Sequence, residues 1–330
     1  MQKIFHTPEG VRDIYNDECA RKQSLQAKIR DIFHKYGFRD IETPTFEFFE
    51  VFGSEVGTTP SNELYKFFDR DGNTLVLRPD FTPSIARAAS MYFLEDDSPI
   101  RLCYQGNTFV NNSNYQGRLK ESTQMGIEYL GDGTTMADVE VLAMLIFLLK
   151  ETGLDEFQIS IGQVEFFKAL VDEVQMREET IQTLRELISN KNYFGVEELI
   201  RKEQLSQELE TVFLNLPQLF GGVEVLKKAK SLTNNPRAIA AVVRLEAISE
   251  MLCQHQMEKY ISFDFGMLSK FRYYTGIIFN GVTYGSGEPL VTGGRYDTLM
   301  QHFGKPAPAI GFGLTMDSLL NALERQRKEA

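Results

Sequence analysis

The sequence predicts an α+β fold, in which an antiparallel sheet is flanked by helices and interrupted by a helical insertion. Two strand-like segments, Tyr104 to Val110 and Gln124 to Leu130, flank a polar loop rich in Asn, Ser and Gly. Strand-like segments return after residue 260, whereas residues 165–255 are charged and have helical periodicity. A chain of 330 residues is long enough for such a core and an additional helical unit.

The composition excludes several classes of protein. With 42% hydrophobic and 25% charged residues, it is typical of a soluble globular protein. The formal net charge of -11 argues against a surface built for nucleic acid, which requires a basic patch. The longest apolar run, residues 141–149, is too short to cross a bilayer. We therefore expect a cytoplasmic protein that contacts no membrane.

The cysteines and histidines lack the spacing of a disulfide framework or a metal site. The three cysteines and the four histidines are scattered, and none belongs to a zinc-type motif. The sequence therefore predicts a reducing compartment, no metal and no cofactor.

The first 52 residues predict a helix, a strand and a short aromatic helix. Apolar residues recur at helical spacing between Asn16 and Tyr36, and Gly37 is placed to end that helix. A strand follows and stops at Pro44. Four closely spaced phenylalanines follow, and they must be covered by a core or by a second subunit. They are Phe46, Phe48, Phe49 and Phe52.

The next segment predicts a small hairpin and a helix. Residues 64–68 and 74–78 are expected to pair around the Asp71-Gly72 turn. A helix then begins after Pro79, where Asp80 and Thr82 are residue types that cap helices. The longer hairpin follows, and a loop of its length is typical of a binding segment.

The second half predicts a helix from Asp138 to Glu151, then the insertion, then further strands. For the insertion at residues 165–255 we expect an ordinary helical subdomain without a site of its own. The other predicted elements are strands at residues 157–161, 261–265, 273–279 and 291–293, and a final helix from about residue 315.

Four motifs carry a resemblance to a known family. They are LRPDFT at residues 77–82, the hairpin at residues 104–131, TGGRYD at residues 292–297 and AIGFGLTMDSL at residues 309–319. Their types and order resemble the core of the class II aminoacyl-tRNA synthetases, specifically the histidyl branch, over nearly the whole chain.

The resemblance implies a domain organisation and an oligomeric state. A class II synthetase-like core would span residues 1–330, interrupted by the helical insertion at 165–255 and lacking an anticodon-binding domain. Residues 38–52 match the motif with which this family builds its homodimer interface.

Five residues match the positions that bind the amino acid in this family. They are Asp80, which replaces a glutamate, and Gln124, Glu128, Tyr274 and Tyr296. Gln124 and Glu128 are four apart on a strand, so both point to one face. Carboxylates suit an ammonium group, whereas amides and phenols orient an imidazole. The resemblance therefore implies an L-histidine pocket; the alternative is a solvated sheet face beside core tyrosines.

The positions that bind ATP in the family are altered. Val110, Ser269 and Ser318 each stand where the family has an arginine, and Asn112 replaces the glutamate that reads adenine. Because such arginines stabilise the phosphates and the transition state, we expect no catalytic residue and no amino-acid activation. Arg118 and Lys120 remain as candidates for residual phosphate contact.

A retained pocket without catalytic groups resembles one family of histidyl-tRNA synthetase paralogues, the regulatory subunits of ATP phosphoribosyltransferase. The resemblance implies a hetero-oligomer with the short-form catalytic subunit. It also implies that the chain is needed for the first step of histidine biosynthesis and for feedback inhibition by histidine. Ligand binding would act by biasing a two-state assembly.

Two alternatives remain open. One is a histidine-binding pseudo-synthetase module that acts on another partner, such as RNA or a kinase, although the acidic balance argues against RNA, including tRNA. The other is a truncated amino-acid-activating enzyme, against which the three missing arginines count.

Overall fold

The computed structural model describes residues 6–53, 59–93, 98–112, 119–174, 176–203, 205–268 and 273–329. Within these ranges the fold is α+β, as the sequence predicts. Helices flank a nine-stranded sheet, and a separate three-stranded sheet lies beside it.

The strands are β1 (Arg39–Asp40), β2 (Phe46–Phe48), β3 (Lys66–Phe68), β4 (Thr74–Leu77), β5 (Ile100–Phe109), β6 (Glu121–Leu130), β7 (Gln158–Gln163), β8 (Phe220–Gly221), β9 (Ile261–Asp264), β10 (Ile277–Val282), β11 (Val291–Arg295) and β12 (Ala309–Thr315). The large sheet has the order β1-β5-β6-β12-β11-β10-β7-β9-β8. Its six strands from β5 to β7 pair antiparallel. The sheet is mixed towards its edges, where β1 pairs parallel with β5 and β9 pairs parallel with β7.

The three-stranded sheet has the order β2-β4-β3, and both pairs are antiparallel. The predicted turn joins β3 to β4, with Gly72 at a φ of +84° that favours glycine. Phe46 and Phe48 on β2 and Phe67 and Phe68 on β3 are all exposed.

The helices are α1 (Asn16–Lys35), α2 (Thr82–Tyr92), α3 (Thr135–Glu151), α4 (Val164–Val171), α5 (Glu178–Ser189), α6 (Tyr193–Ile200), α7 (Gln207–Asn215), α8 (Glu224–Ser231), α9 (Pro236–Gln254), α10 (Leu299–His302) and α11 (Met316–Glu329). Local chemistry sets several of their starts. The Thr134 hydroxyl accepts from the backbone N–H of Ala137 at the start of α3, and the Asn235 side chain accepts from two backbone N–H groups at the start of α9.

The segment for which the sequence predicts an insertion contains α4 to α9 and the short strand β8. Helix α9 packs against both α3 and α4, so its apolar face joins the main core. Leu142, Leu145 and Leu149 of α3 have no exposed surface, which anchors this layer to the sheet. A second core cluster lies around Phe81 and Tyr104, beside the site described below.

Strand β12 is the main element that the sequence analysis did not assign as a strand. It lies between β6 and β11 at the centre of the sheet. Its glycines, Gly311 and Gly313, weaken strand propensity, so its formation depends on pairing with distant neighbours. None of the helices among the described residues is both long and apolar enough to span a bilayer.

Candidate functional site

A cavity of about 390 Å³ opens over the centre of the large sheet. Strands β6, β11 and β12 meet there, and the start of α2 closes one side. The side chains of Glu128 and Gln124 on β6 extend over the neighbouring strand β12, where glycines leave space for them. A Cβ at Gly311 would lie 1.9 Å from Glu128 Oε2, and one at Gly313 would lie 2.0 Å from Gln124 Nε2. Small residues on β12 therefore allow the polar residues of β6 to occupy the sheet surface.

Glu128 is the most buried acidic group of the site, with 1% of its surface exposed. Thr82 Oγ1 donates a hydrogen bond to its Oε1 at 2.6 Å, and the Tyr296 hydroxyl donates to its Oε2. Both carboxyl oxygens are thus oriented by hydroxyl groups from α2 and from the residue that follows β11. The carboxyl lies just behind the residues that line the cavity.

The surroundings of Glu128 change its protonation. Burial raises its pKa to about 8, while the hydrogen bonds from Thr82 and Tyr296 oppose this rise and the nearby Asp80 carboxyl adds to it. The pKa of Asp80 is also raised, chiefly by desolvation, against hydrogen bonds from two backbone N–H groups and from Tyr273. Two adjacent carboxyl groups that are costly to ionise favour the approach of a cation.

Aromatic rings form the walls of the cavity. Tyr104 stacks on Phe81 with ring centroids 4.4 Å apart. Tyr273 packs on Tyr274 at 4.6 Å and edge-on against Tyr296 at 5.8 Å. Burial raises the pKa of the Tyr104, Tyr273, Tyr274 and Tyr296 phenols, so they remain neutral hydrogen-bonding groups at neutral pH.

Gln124 supplies an acceptor that has no partner among the described residues. Its Oε1 atom is buried, makes no hydrogen bond to any of the described residues and belongs to a side chain that lines the cavity. A buried amide oxygen left unpaired is energetically costly, so a ligand or water that donates a hydrogen bond is the natural partner.

A second cavity, of about 580 Å³, adjoins the first, and Thr292 lines both. Its lining combines hydroxyl and amide groups with Arg325 and two acids, Glu288 and Asp317. Asp317 already pairs with Arg12 at 3.3 Å and with Lys22 at 4.0 Å. Arg325 is the only lysine or arginine recorded in this lining from the described residues, so a triphosphate would find little positive charge there.

Four of the five predicted binding residues come together in the first cavity, and the fifth, Glu128, lies behind its lining. Asp80, Gln124, Tyr274 and Tyr296 line it, and Glu128 contacts it from behind through Tyr296. Val110 also lines this cavity, whereas Asn112 and Ser318 line the second.

Of the two candidates for phosphate contact, only Lys120 belongs to the described residues, and it is not brought to either cavity. Lys120 lines neither one; its backbone N–H donates to the Gly10 carbonyl at 2.7 Å, and its side-chain carbons pack over Gly10. Arg118 and Ser269 lie outside the described residues, so the predictions that concern them remain predictions.

The sequence analysis missed part of the lining, namely Glu63, Tyr104, Tyr273 and Thr292, and assigned Thr82 only a capping role. Two signals pointed to some of them. Tyr104 opens the predicted strand of the hairpin and lies within β5, opposite Gly126 of β6, and Tyr273 directly precedes a predicted site residue. Thr292 opens the TGGRYD motif but was given no role of its own, and Glu63 carried no local signal, because only the tertiary fold brings it to the cavity.

One group of residues has the composition of a metal site. His34 and Cys103 each approach the Asp40 carboxyl, and the three ligand atoms lie within 4.8 Å of one another. Arg30 already donates to both Asp40 oxygens, at 2.9 and 2.8 Å. Burial raises the pKa of the Cys103 thiol to about 12, which keeps it protonated. The cluster is thus a satisfied hydrogen-bond network around Asp40.

Comparisons with known proteins identify the family of this chain. A family profile described as "Histidyl-tRNA synthetase" matches residues 10–319. An "ATP phosphoribosyltransferase regulatory subunit" of Acetivibrio thermocellus is 43% identical over 98% of this chain and 78% of its own length. A protein of the same description from Thermoanaerobacter sp. is 39% identical over 99% of this chain and 85% of its own length.

Solved structures give the same relationship. An "ATP phosphoribosyltransferase regulatory subunit/histidyl-tRNA synthetase" from Bacillus halodurans C has a TM-score of 0.90 at 35% identity, covering 98% of this chain and 84% of that one. A histidyl-tRNA synthetase from Nostoc sp. PCC 7120 has a TM-score of 0.81 at 21% identity, covering 98% and 76%, which supports the fold alone. The chain belongs to the histidyl-tRNA synthetase family and, within it, to the group of ATP phosphoribosyltransferase regulatory subunits.

Proposed function

We propose that this protein is the histidine-sensing regulatory subunit of ATP phosphoribosyltransferase. It has no catalytic activity of its own, binds L-histidine in the first cavity and lowers the turnover of a short-form catalytic subunit when histidine is bound. The observation that carries the proposal is the arrangement of Glu128, Asp80 and the unpartnered Gln124 oxygen around one tyrosine-walled cavity.

The cavity suits an amino acid with an imidazole side chain. The carboxyl groups of Asp80 and Glu128 favour a cationic ammonium group, and binding a cation would offset the cost of ionising them. The Gln124 oxygen can accept a hydrogen bond from an imidazole N–H, and neutral phenols can orient the ring. A volume of about 390 Å³ is at the small end of ligand pockets.

The linings of both cavities support the absence of amino-acid activation. Val110 supplies an apolar wall to the first cavity, and Ser318 an uncharged one to the second, where the resemblance implies arginines. Removing a single oxyanion-stabilising donor from an enzyme costs about 2.7–4 kcal/mol of transition-state stabilisation. Loss of several such donors would bring adenylation below detection, which fits a subunit that binds the amino acid without activating it.

Regulation requires that histidine prefer one of two states of an assembly. The group to which the chain belongs is named for its role as a regulatory subunit, and the exposed phenylalanines of β2 and β3 offer a face for a second copy of the chain. We propose a homodimer through residues 38–52 that is built into a larger hetero-oligomer with the catalytic subunit, and that binds no tRNA.

Two assays on the purified protein test the ligand and the absence of chemistry. Isothermal titration should detect one L-histidine per chain and much weaker binding of L-leucine, which lacks the imidazole. Histidine-dependent exchange of pyrophosphate into ATP should be absent. Histidine that does not bind would overturn the sensing role, and measurable exchange would restore the synthetase alternative.

A further inference from the structure

A single buried aspartate connects the rear of the ligand cavity to the last helix of the predicted insertion. Asp138, in the first turn of α3, has no exposed surface. Each of its carboxyl oxygens binds a different arginine. Arg295, at the end of β11, lies 2.6 Å from Oδ1, and Arg244, on α9, lies 2.6 Å from Oδ2.

The two guanidinium groups also hold the same stretch of backbone. Arg244 donates to the carbonyls of Gly133 and Thr134 at 3.0 and 3.1 Å. Arg295 donates to the carbonyl of Asp132 at 3.0 Å and to that of Thr134 at 3.4 Å. Asp138 and residues 132–134 therefore form one rigid bracket between α9 and β11.

Arg295 is adjacent to the ligand site. The next residue, Tyr296, donates its hydroxyl hydrogen bond to Glu128. The backbone carbonyl of Arg295 accepts from the N–H of Thr275, which follows the cavity residue Tyr274, at 2.8 Å. A shift of Arg295 would thus move two walls of the cavity at once.

The first helix of the predicted insertion contacts the same region. The backbone N–H of Val164, where α4 begins, donates to the Gly276 carbonyl at 3.0 Å. A Cβ at Gly276 would lie 3.1 Å from the side chain of Arg295, so these segments are in close contact. The start of the helical segment therefore contacts the loop that carries Tyr274, and its last helix is linked to Arg295 through Asp138.

We infer that Arg244 is a positioning residue for the ligand cavity: through Asp138 it fixes Arg295, and through Arg295 it fixes Tyr296 against Glu128. This inference rests on the proposed histidine site and gives the helical segment a role in it. By thermodynamic reciprocity, a ligand that orders Tyr296 must also stabilise the position of α9.

Arg244→Ala is a suitable test variant because it should leave the fold intact. Asp138 would keep its ion pair with Arg295, so no buried charge is left without a partner. The Arg244 side chain is partly exposed, so its removal leaves a surface notch rather than a core cavity.

The same helix offers a matched control. Arg237, also on α9, pairs with Glu165 and Asp172 of the α4 region at 2.6 and 2.7 Å. It joins two insertion helices and, among the described residues, forms no hydrogen bond or ion pair with Asp138, Arg295 or the cavity lining. Arg237→Ala therefore removes an ion pair from α9 without touching the bracket.

The first readout is the dissociation constant of L-histidine for the full-length protein, measured by calorimetry. R244A should weaken binding by about 3- to 30-fold, the range of coupling through residues that do not touch the ligand, while R237A should match the wild type. R244K keeps a cation for Asp138 and should recover part of the loss. Equal affinity in R244A and wild type, or a loss in R237A as large as in R244A, would overturn the inference.

The second readout needs no ligand, so it separates failure of this inference from failure of the proposed function. Amide hydrogen exchange of the free protein should be faster in R244A than in R237A for peptides that contain Thr275 and Tyr296, with no change in β5. Unchanged exchange at these amides would overturn the inference even if histidine binds. Faster exchange together with no histidine binding in the wild type would support the bracket and reject only the proposed ligand.

Discussion

Glu128 provides the buried carboxyl group on which the proposed binding of histidine depends. Water is excluded from it, and two hydroxyl donors fix its orientation before any ligand arrives. Preorganisation of this kind reduces the entropy lost on binding, since neither the carboxylate nor its donors must be reordered. Its pKa is raised to about 8 because, without a cation nearby, ionising the buried carboxyl group is energetically costly.

Substitution of Glu128 should remove most of the histidine affinity. Glu128→Gln deletes the charge but preserves the shape, and hydrogen bonds to charged groups contribute about 1.5–3 kcal/mol, which corresponds to roughly 10- to 100-fold in the dissociation constant. Glu121→Gln is the control, because Glu121 lies on the same strand and bonds only Asn107 at 2.6 Å in the described structure. A histidine titration in which E128Q binds like E121Q would contradict the assigned site.

The stability of the ligand-free protein should depend on pH through the same residue. Because the pKa of Glu128 is raised from 4.5 to about 8, the folded state keeps a proton that the unfolded chain loses between these values. The contribution of Glu128 to the free energy of unfolding is therefore fully present below about pH 4.5 and is lost as the pH rises towards about 8. The loss is at most about 1.4 kcal/mol per pH unit.

Denaturant titrations at a series of pH values check this dependence. E128Q cannot release that proton, so its free energy of unfolding should fall less steeply than that of the wild type between about pH 5 and 8. Identical slopes in the two proteins would show that Glu128 is ionised in the free protein.

Resemblance alone was sufficient to select residues that the fold brings together around one cavity. Spacing on β6 explained why Gln124 and Glu128 share a face, whereas the roles of Tyr104 and Tyr273 depended on how distant elements pack. The raised pKa of Glu128 was not foreseeable, because desolvation is a property of the whole surroundings of a group and not of its neighbours in sequence.

Among the elements, strand β12 determines the depth of the cavity. Its alternating glycines face Glu128 and Gln124, so the strand contributes backbone and almost no side-chain volume. The sequence indicated a motif here but not a strand, since glycine disfavours strands when considered alone. Tertiary pairing with β6 and β11 overrides this local preference.

Gly311→Ala should therefore damage both folding and binding. The added Cβ would meet the Glu128 carboxyl and the Ile127 carbonyl oxygen at 2.4 Å, and overpacking of this kind typically costs about 1–3 kcal/mol. Gly287→Ala is the control, because a Cβ there meets no heavy atom within 4 Å. Thermal unfolding and histidine titration of the two variants give the comparison, and a G311A protein that behaves like G287A would refute the close packing of β6 and β12.

At the scale of the whole molecule, the three-stranded sheet is the proposed dimer interface. Phe46, Phe48, Phe67 and Phe68 expose between 37% and 72% of their surface in the single chain, and a cluster of aromatic rings of this kind is typical of an interaction surface. Residues 38–52 contribute two of these rings, which agrees with the segment that the resemblance implies.

Phe48→Asp should convert the protein to a monomer. Placing a carboxylate in an apolar interface leaves it desolvated and unpaired, which costs several kcal/mol and raises the dimer dissociation constant by about 30-fold or more. Phe194→Asp is the control, since Phe194 is 84% exposed on α6, outside the proposed interface. Sedimentation velocity measures both, and an F48D protein that remains dimeric would place the interface elsewhere.

The central claim is that histidine bound in this cavity controls another subunit. The most direct measurement is phosphoribosyltransferase turnover by the short-form catalytic subunit, with and without this chain, as L-histidine is titrated. We predict that turnover appears with the chain, falls as histidine is added and becomes insensitive to histidine when the chain carries E128Q. Turnover that is the same with and without the chain, or histidine inhibition that persists unchanged with E128Q, would contradict the account.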